Sequence, residues 1–143
     1  MEHLWLIFSL LSAFSASLVG IFGKLGLTSA DPNAATAVRA IIMAVFLFGV
    51  VIVQGNLQEI PAIIADKKVL LYIGLSGLAG ALSWLFYFWA LKFGKVSQVA
   101  PIDKLSVVIA AVLAVIFLGE KINLLNAVGI GLIAIGALIV SIS

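Results

Sequence analysis

The chain has 143 residues, of which 64% are hydrophobic and 10% are charged, and its mean hydropathy is +1.33. Soluble domains carry roughly 25% charged residues, so this composition argues against a soluble enzyme and against a disordered segment. The absence of cysteine, the single histidine (His3) and a scattered net charge of +2 leave no thiol or histidine pair for catalysis, no metal or cofactor motif and no surface for nucleic acid.

The long apolar runs predict an all-α integral membrane protein, because about 20 apolar residues in a helix cross a bilayer. The first span is expected at about residues 4–23, and the acidic Glu2 before a long run favours a retained helix over a cleaved signal peptide. Asp31 followed by Pro32 is typical of a helix start, so the second span is expected at about 32–53.

The rest of the chain predicts a short interfacial helix and three further spans. Leu57, Ile60 and Ile64 fall on one helical face, which indicates a helix lying at the membrane surface. The remaining spans are expected at about 69–91, 97–118 and 124–142. Since no linker or low-complexity tract separates them, residues 1–143 are interpreted as one domain, a bundle of five transmembrane helices.

Lysines are distributed almost evenly between the two sides that five spans define. Three lie on the side of the N-terminus and three on the opposite side: Lys67, Lys68 and Lys121 against Lys24, Lys92 and Lys95. Arg39 and Lys104 add two to the second side if residues near the interface are counted. The positive-inside rule therefore gives almost no bias. A weakly determined single orientation and insertion both ways up stay open as alternatives.

Charged residues within the spans indicate a functional site, because charges at membrane depth usually face protein or a water-filled cavity. Arg39 lies seven residues after Pro32, and Asp103 lies six residues after Ser97. Both spans start from the same side, so the two residues are expected at a similar depth, roughly 10 Å in, where they could form an ion pair. The alternative for Arg39 is an anchor near the headgroups.

Asp103 is followed by Lys104, and in a regular helix consecutive side chains point about 100° apart. Asp103 and Ser106 share the smaller, more polar face, which we expect to line a cavity or a close helix. Lys104 either joins that cavity or extends to the interface.

Pro101 is predicted to break the helix and release carbonyl groups for a solute, or only to fix where the helix begins. The net charge of three residues in the spans (Arg39, Asp103 and Lys104) is about +1, which favours an anionic group on the solute.

Trp84, Tyr87 and Phe88 share one face of the third span at three- and four-residue spacing, within a run of aromatic residues. Trp84 and Tyr87 are candidate walls of a binding pocket, where their rings would also contact cations. The alternative is a belt of aromatic side chains at the membrane interface. Glycines on the same span (Gly74, Gly77 and Gly80) indicate close helix packing.

Three segments in order carry a resemblance to a known family. They are residues 83–91 (SWLFYFWAL), 99–102 (VAPI) and 118–121 (LGEK), together with Arg39 in the second span. This combination resembles the EamA family of the drug/metabolite transporter superfamily, whose members usually carry two inverted repeats of five helices. The resemblance implies a small-solute transporter working by alternating access between two halves.

The chain corresponds to one such repeat, so the resemblance implies a dimer. An antiparallel homodimer would reproduce the inverted pair, while a parallel dimer or a separate partner chain stays open. The expected location is the cell membrane (inner or plasma), crossed several times. The candidate solute-binding residues are Arg39, Trp84, Tyr87, Asp103, Lys104 and Ser106. The alternative functions are a non-transporting membrane subunit or scaffold, and a flippase for lipid-linked substrates.

Overall fold

The computed structural model describes residues 4–142, so Glu2 and His3, which the sequence argument used, lie outside the described residues. Every regular element within this range is helical: α1 (Leu4–Gly26), α2 (Pro32–Val53), a 3₁₀ turn (Asn56–Gln58), α3 (Glu59–Ala65), α4 (Lys67–Phe93), α5 (Val96–Asp103), α6 (Leu105–Leu113), a π turn (Ala114–Leu118) and α7 (Leu124–Ser141). Five helical segments are long and apolar enough to cross a membrane. The predicted all-α class with five candidate spans is confirmed.

Asx side chains start three of the helices by accepting hydrogen bonds from backbone N–H groups that have no partner within the helix. Asp31 Oδ2 accepts from Ala34 N at 2.9 Å before Pro32, as the sequence predicts. Asn123 Oδ1 accepts from Asn126 N at 2.7 Å at the start of α7. Asp66 Oδ1 accepts from the second and third residues of α4 at 2.9 and 3.1 Å. Such caps stabilise a helix by roughly 1 kcal/mol each.

The predicted bounds hold closely for most spans. The second agrees with α2, and the short predicted helix is present as α3. The first and third spans are longer than expected, because α1 continues to Gly26 and α4 covers Lys67–Phe93. The turn before the fifth span contains Gly119 with a φ of 68°, a left-handed conformation that glycine adopts without a steric penalty.

The fourth span differs from the prediction of one regular helix over 97–118. It is divided into α5, α6 and the π turn, and the α-helical pattern is interrupted at Lys104. Lys104 N bonds to Pro101 O at 3.1 Å, which is a three-residue step. Proline has no N–H, and its ring clashes with the carbonyl four residues earlier, so Pro101 disturbs the helix on its N-terminal side, at Ser97. The interruption at Lys104 lies three residues after Pro101, on the side that the proline ring does not disturb directly.

The contacts of the described residues divide the chain into two groups, each of which is described by itself. In the group formed by residues 4–22 and 93–142, α7 packs against α5 and α6, and Ala137 is buried. In the group formed by residues 23–92, the buried apolar side chains are Leu27, Phe88 and Leu91. Most other apolar side chains of the spans are exposed, as expected for helices that contact lipid.

Candidate functional site

Arg39 and Trp84 are in direct contact within the group of residues 23–92. Arg39 lies in the second turn of α2, and its Cζ is 3.6 Å from the centre of the Trp84 ring on α4. Both side chains are half-buried. A guanidinium over an indole face is attracted by the ring's quadrupole, and the attraction grows to about 2 kcal/mol when water is excluded. Two of the predicted site residues are therefore brought together.

The aromatic side chains around Trp84 form one continuous face on α4. The Trp84 ring lies edge-on to Tyr87 at 5.6 Å and to Phe88 at 6.1 Å between centroids. These contacts follow from the three- and four-residue spacing along the helix. The Arg39 Cζ is also 5.7 Å from the Phe88 ring. We call Arg39, Trp84, Tyr87 and Phe88 the arginine–aromatic cluster.

Phe88 is the buried member of this cluster, with 4% of its surface exposed; it was predicted to share a face with Trp84 and Tyr87 but was not among the candidate solute-binding residues. It contacts Arg39 on α2 and also faces Gly23 on α1, where a Cβ would lie 3.3 Å from its ring. Its four-residue spacing from Trp84 was the available signal. Phe88 therefore connects the last turn of α1 to the arginine-bearing helix.

Trp89 points to the first turn of α2. Its Nε1–H donates to Asn33 Oδ1 at 2.8 Å, a bond between side chains 56 residues apart. This bond ties α4 to α2 near the predicted level of the interface, where an indole with one polar edge is favoured. Nothing in the local sequence pattern signalled Asn33 as the acceptor.

Asp103, Lys104 and Ser106 belong to the other group of helices. Lys104 Nζ lies 3.4 Å from Asp103 Oδ2, although the two residues are consecutive. The long lysine side chain reaches back to the preceding carboxylate, and Lys104 itself lies at the interruption between α5 and α6. Asp103 is half-buried and Ser106 is exposed. The interruption also separates the two members of the expected polar face into different helices.

The structure thus brings Arg39 to Trp84 and Asp103 to Lys104, and neither contact was predicted. The predicted Arg39–Asp103 ion pair would join residues of the two groups, and it stays a prediction. The roles of the six candidate residues and of Pro101 in solute binding likewise stay predictions.

The sequence profile of the EamA-like transporter family matches residues 3–142. The chain belongs to this family. It is 41% identical over 145 residues to a Sinorhizobium protein described as an uncharacterized transporter in the cobO 3′ region, with 99% of both chains covered. It is also 37% identical over 81 residues to an uncharacterized protein of Methanocaldococcus jannaschii, covering 57% of this chain and 59% of the relative. No solved structure matches the chain.

Family membership confirms the resemblance that the segments at 83–91, 99–102 and 118–121 indicate. Together with the five apolar helices it identifies a membrane transporter of the EamA type. It also gives the arginine–aromatic cluster a functional setting, because a charged side chain within a transporter span is a candidate for contact with the solute.

Proposed function

We propose that this EamA-type protein carries a small solute with an anionic group across the cell membrane by alternating access. The arginine–aromatic cluster binds the anionic group. The observation that carries this proposal is the contact between the Arg39 guanidinium and the Trp84 indole at 3.6 Å.

The contact leaves the hydrogen-bonding capacity of Arg39 available. The five N–H donors of a guanidinium lie in its own plane, and a ring in contact with its face uses none of them. Within residues 23–92 no acceptor is hydrogen-bonded to Arg39. A planar carboxylate would accept two parallel bonds from this edge, which is the strong geometry for arginine and an anion.

The charges of the candidate residues support an anionic solute. The carboxylate of Asp103 is already 3.4 Å from the ammonium of Lys104, so these two charges offset each other. Arg39 then supplies the remaining charge of about +1. Tyr87 is proposed as a polar neighbour of the solute at Arg39, and the roles of Asp103 and Ser106 in the transport cycle stay predictions.

A homodimer supplies the two halves that alternating access requires. The Sinorhizobium relative matches over 99% of both chains, so it has the length of one repeat as well. The glycine face of α4 supports a partner helix, because a methyl group built at Gly74, Gly77 or Gly80 meets no atom within 4 Å. Small residues on an unpartnered face allow a second copy to approach closely. The nearly equal lysine counts on the two sides are compatible with an antiparallel pair.

The transport proposal is tested with purified protein in liposomes, using a panel of carboxylate, phosphate, neutral and cationic solutes. Wild-type protein is expected to carry anionic solutes. Arg39→Ala is expected to reduce that flux by about 10- to 100-fold, since a charge-assisted hydrogen bond contributes roughly 1.5–3 kcal/mol. Arg39→Lys keeps the positive charge but lacks the planar set of N–H donors, so its flux is expected to lie between those of the wild type and Arg39→Ala.

Lys68→Ala is the matched control, because it removes one positive charge at the start of α4, where only the backbone of Lys68 is bound by Asp66. It should transport as wild type does. Unchanged flux in Arg39→Ala would contradict the assigned site. A wild-type protein that carries no anionic solute, and that is purified with another membrane protein, would support a non-transporting subunit instead.

The antiparallel arrangement is tested separately. Because residues 1–143 contain no cysteine, a single Ser143→Cys substitution gives one reactive thiol after the fifth candidate span. Labelling intact cells with a reagent that cannot cross the membrane should modify about half of the molecules if both orientations occur. Modification of all or none would indicate one orientation, and with it a parallel dimer or a different partner.

A further inference from the structure

A small cavity lies at the ends of α1 and α4, separate from the arginine–aromatic cluster. Its volume is about 140 Å³, and its lining residues are Lys24, Leu27, Thr28, Leu91 and Lys92. All of them belong to the group of residues 23–92. Leu27 and Leu91 are almost completely buried, at 2% and 0% exposure, so the cavity is lined by apolar side chains as well as by two ammonium groups.

The two lysines are held in place by a reciprocal pair of contacts. Lys24 Nζ, in the last turn of α1, donates to Leu91 O of α4 at 2.5 Å. Lys92 Nζ, in the last turn of α4, donates to Leu27 O at 2.8 Å and Ala30 O at 3.2 Å, just beyond α1. Each helix thus binds a cation from the other at its C-terminal end, where the helix dipole is negative. The ammonium groups are already ordered, so a ligand loses less conformational entropy on binding.

The charge around the cavity suits an anion. Two ammonium groups line it, and none of its five lining residues carries a carboxylate. The C-terminal ends of α1 and α4 offset part of this charge, by about half an elementary charge each. About one positive charge is left over, which matches a phosphodiester with a single negative charge.

The position of the cavity indicates where that phosphodiester comes from. The candidate spans that contain the two lysines end at Gly26 and Phe93, so the cavity lies at the level expected for lipid headgroups. Basic pockets between the ends of transmembrane helices bind acidic headgroups. We propose that Lys24 and Lys92 form a binding site for the headgroup phosphate of an anionic phospholipid, with the start of an acyl chain against Leu27 and Leu91.

The test measures lipid binding to the detergent-purified protein by native mass spectrometry. Phosphatidylglycerol is titrated against phosphatidylcholine, whose own ammonium group is repelled by the lysines. Wild-type protein is expected to bind phosphatidylglycerol at least tenfold more tightly. The Lys24→Gln/Lys92→Gln variant is expected to lose that preference, because glutamine still donates to a carbonyl but carries no charge. Lys24→Arg/Lys92→Arg is expected to keep it.

Lys95→Gln is the matched control, since it removes a positive charge three residues beyond Lys92 without touching the cavity. Its preference should stay within about twofold of wild type. Equal affinity of the wild type for both lipids would overturn the proposal, and so would an equal loss in Lys95→Gln. Titration with inorganic phosphate decides the source: tight binding of free phosphate without any lipid preference would replace the lipid by a soluble anion. If the glutamine variant does not fold, the proposal is tested by the lipid preference of the wild type and by whether the arginine variant keeps that preference.

Discussion

Gly23 of α1 and Phe88 of α4 approach so closely that a Cβ at Gly23 would lie 3.3 Å from Phe88 Cε1 and 3.4 Å from Leu91 Cδ1. The centre of the Phe88 ring is in turn 5.7 Å from Arg39 Cζ. The close approach of Gly23 to Phe88 therefore helps to position one side of the arginine–aromatic cluster. The missing side chain at Gly23 is what permits this contact.

A larger residue at position 23 is therefore expected to destabilise the protein. Gly23→Leu would overfill the contact with Phe88 and Leu91 and lower the stability by about 1–3 kcal/mol. The measurement is the thermal midpoint in detergent micelles. Gly26→Leu is the control, because a Cβ there meets nothing within 4 Å, while both changes add similar helix propensity. Equal midpoints for the two variants would show that the Gly23 contact is not tightly packed in solution.

The hydrogen bond from Trp89 to Asn33 is expected to contribute to the association of α4 with α2. Trp89→Phe removes the donor and Asn33→Ala removes the acceptor of the 2.8 Å bond. A double-mutant cycle on unfolding in micelles should give a coupling of about 0.5–1.5 kcal/mol. Additive effects of the two substitutions would instead favour the simpler interpretation that Trp89 acts only as an interfacial aromatic residue.

The hydrogen bond from Ala34 N to the Asp31 side chain, at the start of α2, is expected to stabilise the protein. Asp31→Ala removes the acceptor for Ala34 N and should lower the stability by about 0.5–2 kcal/mol. Asp31→Asn keeps a side-chain oxygen and should lie within a few tenths of a kcal/mol of wild type. Circular dichroism during thermal unfolding follows both variants. If alanine and asparagine destabilise equally, the charge of Asp31 matters more than its hydrogen bond.

The spans and their starts could be predicted from the sequence because both are local properties. An apolar run of about 20 residues and an Asp-Pro pair depend on near neighbours only. Arg39 and Trp84 could be selected as polar and aromatic residues in spans, but their contact could not, because no local pattern states which helices are neighbours. The hydrogen bond between Asn33 and Trp89, which are 56 residues apart, was not predicted for the same reason.

The fourth span shows a different limit. Pro101 could be recognised as a residue that disturbs a helix, yet its effect was expected at the helix start. The interruption instead falls at Lys104, where a three-residue hydrogen bond to Pro101 O replaces the regular four-residue one. Lys104 Nζ lies 3.4 Å from Asp103 Oδ2, because a lysine side chain is long enough to reach back to the preceding residue.

Replacing Pro101 is expected to restore a continuous helix. Pro101→Ala returns the N–H that can bond to Ser97 O, and α5 should continue through Lys104. Spin labels on Ser97→Cys and Ile116→Cys report this change, since a straight helix separates their Cα atoms by about 28 Å. The distance distribution should narrow and move toward that value. Pro32→Ala, at the first position of α2 where proline disturbs nothing, should leave it unchanged. An unchanged distribution in Pro101→Ala would assign the interruption to other residues of the span.

The contact of Trp84 with Arg39 is expected to set the affinity for the solute. Trp84→Leu removes the ring that orders the guanidinium, so the solute has to order it on binding, and a cost of about 0.5–1.5 kcal/mol corresponds to a KM raised roughly 2- to 12-fold. Trp84→Phe keeps a smaller aromatic face under the guanidinium and should raise KM by less than Trp84→Leu does. The measurement is the concentration dependence of anionic solute flux in liposomes. Phe86→Leu is the matched control, because that ring is 67% exposed on the same helix. An equal change in KM for Trp84→Leu and Phe86→Leu would mean that general aromatic content of α4, and not the ring beneath Arg39, determines binding.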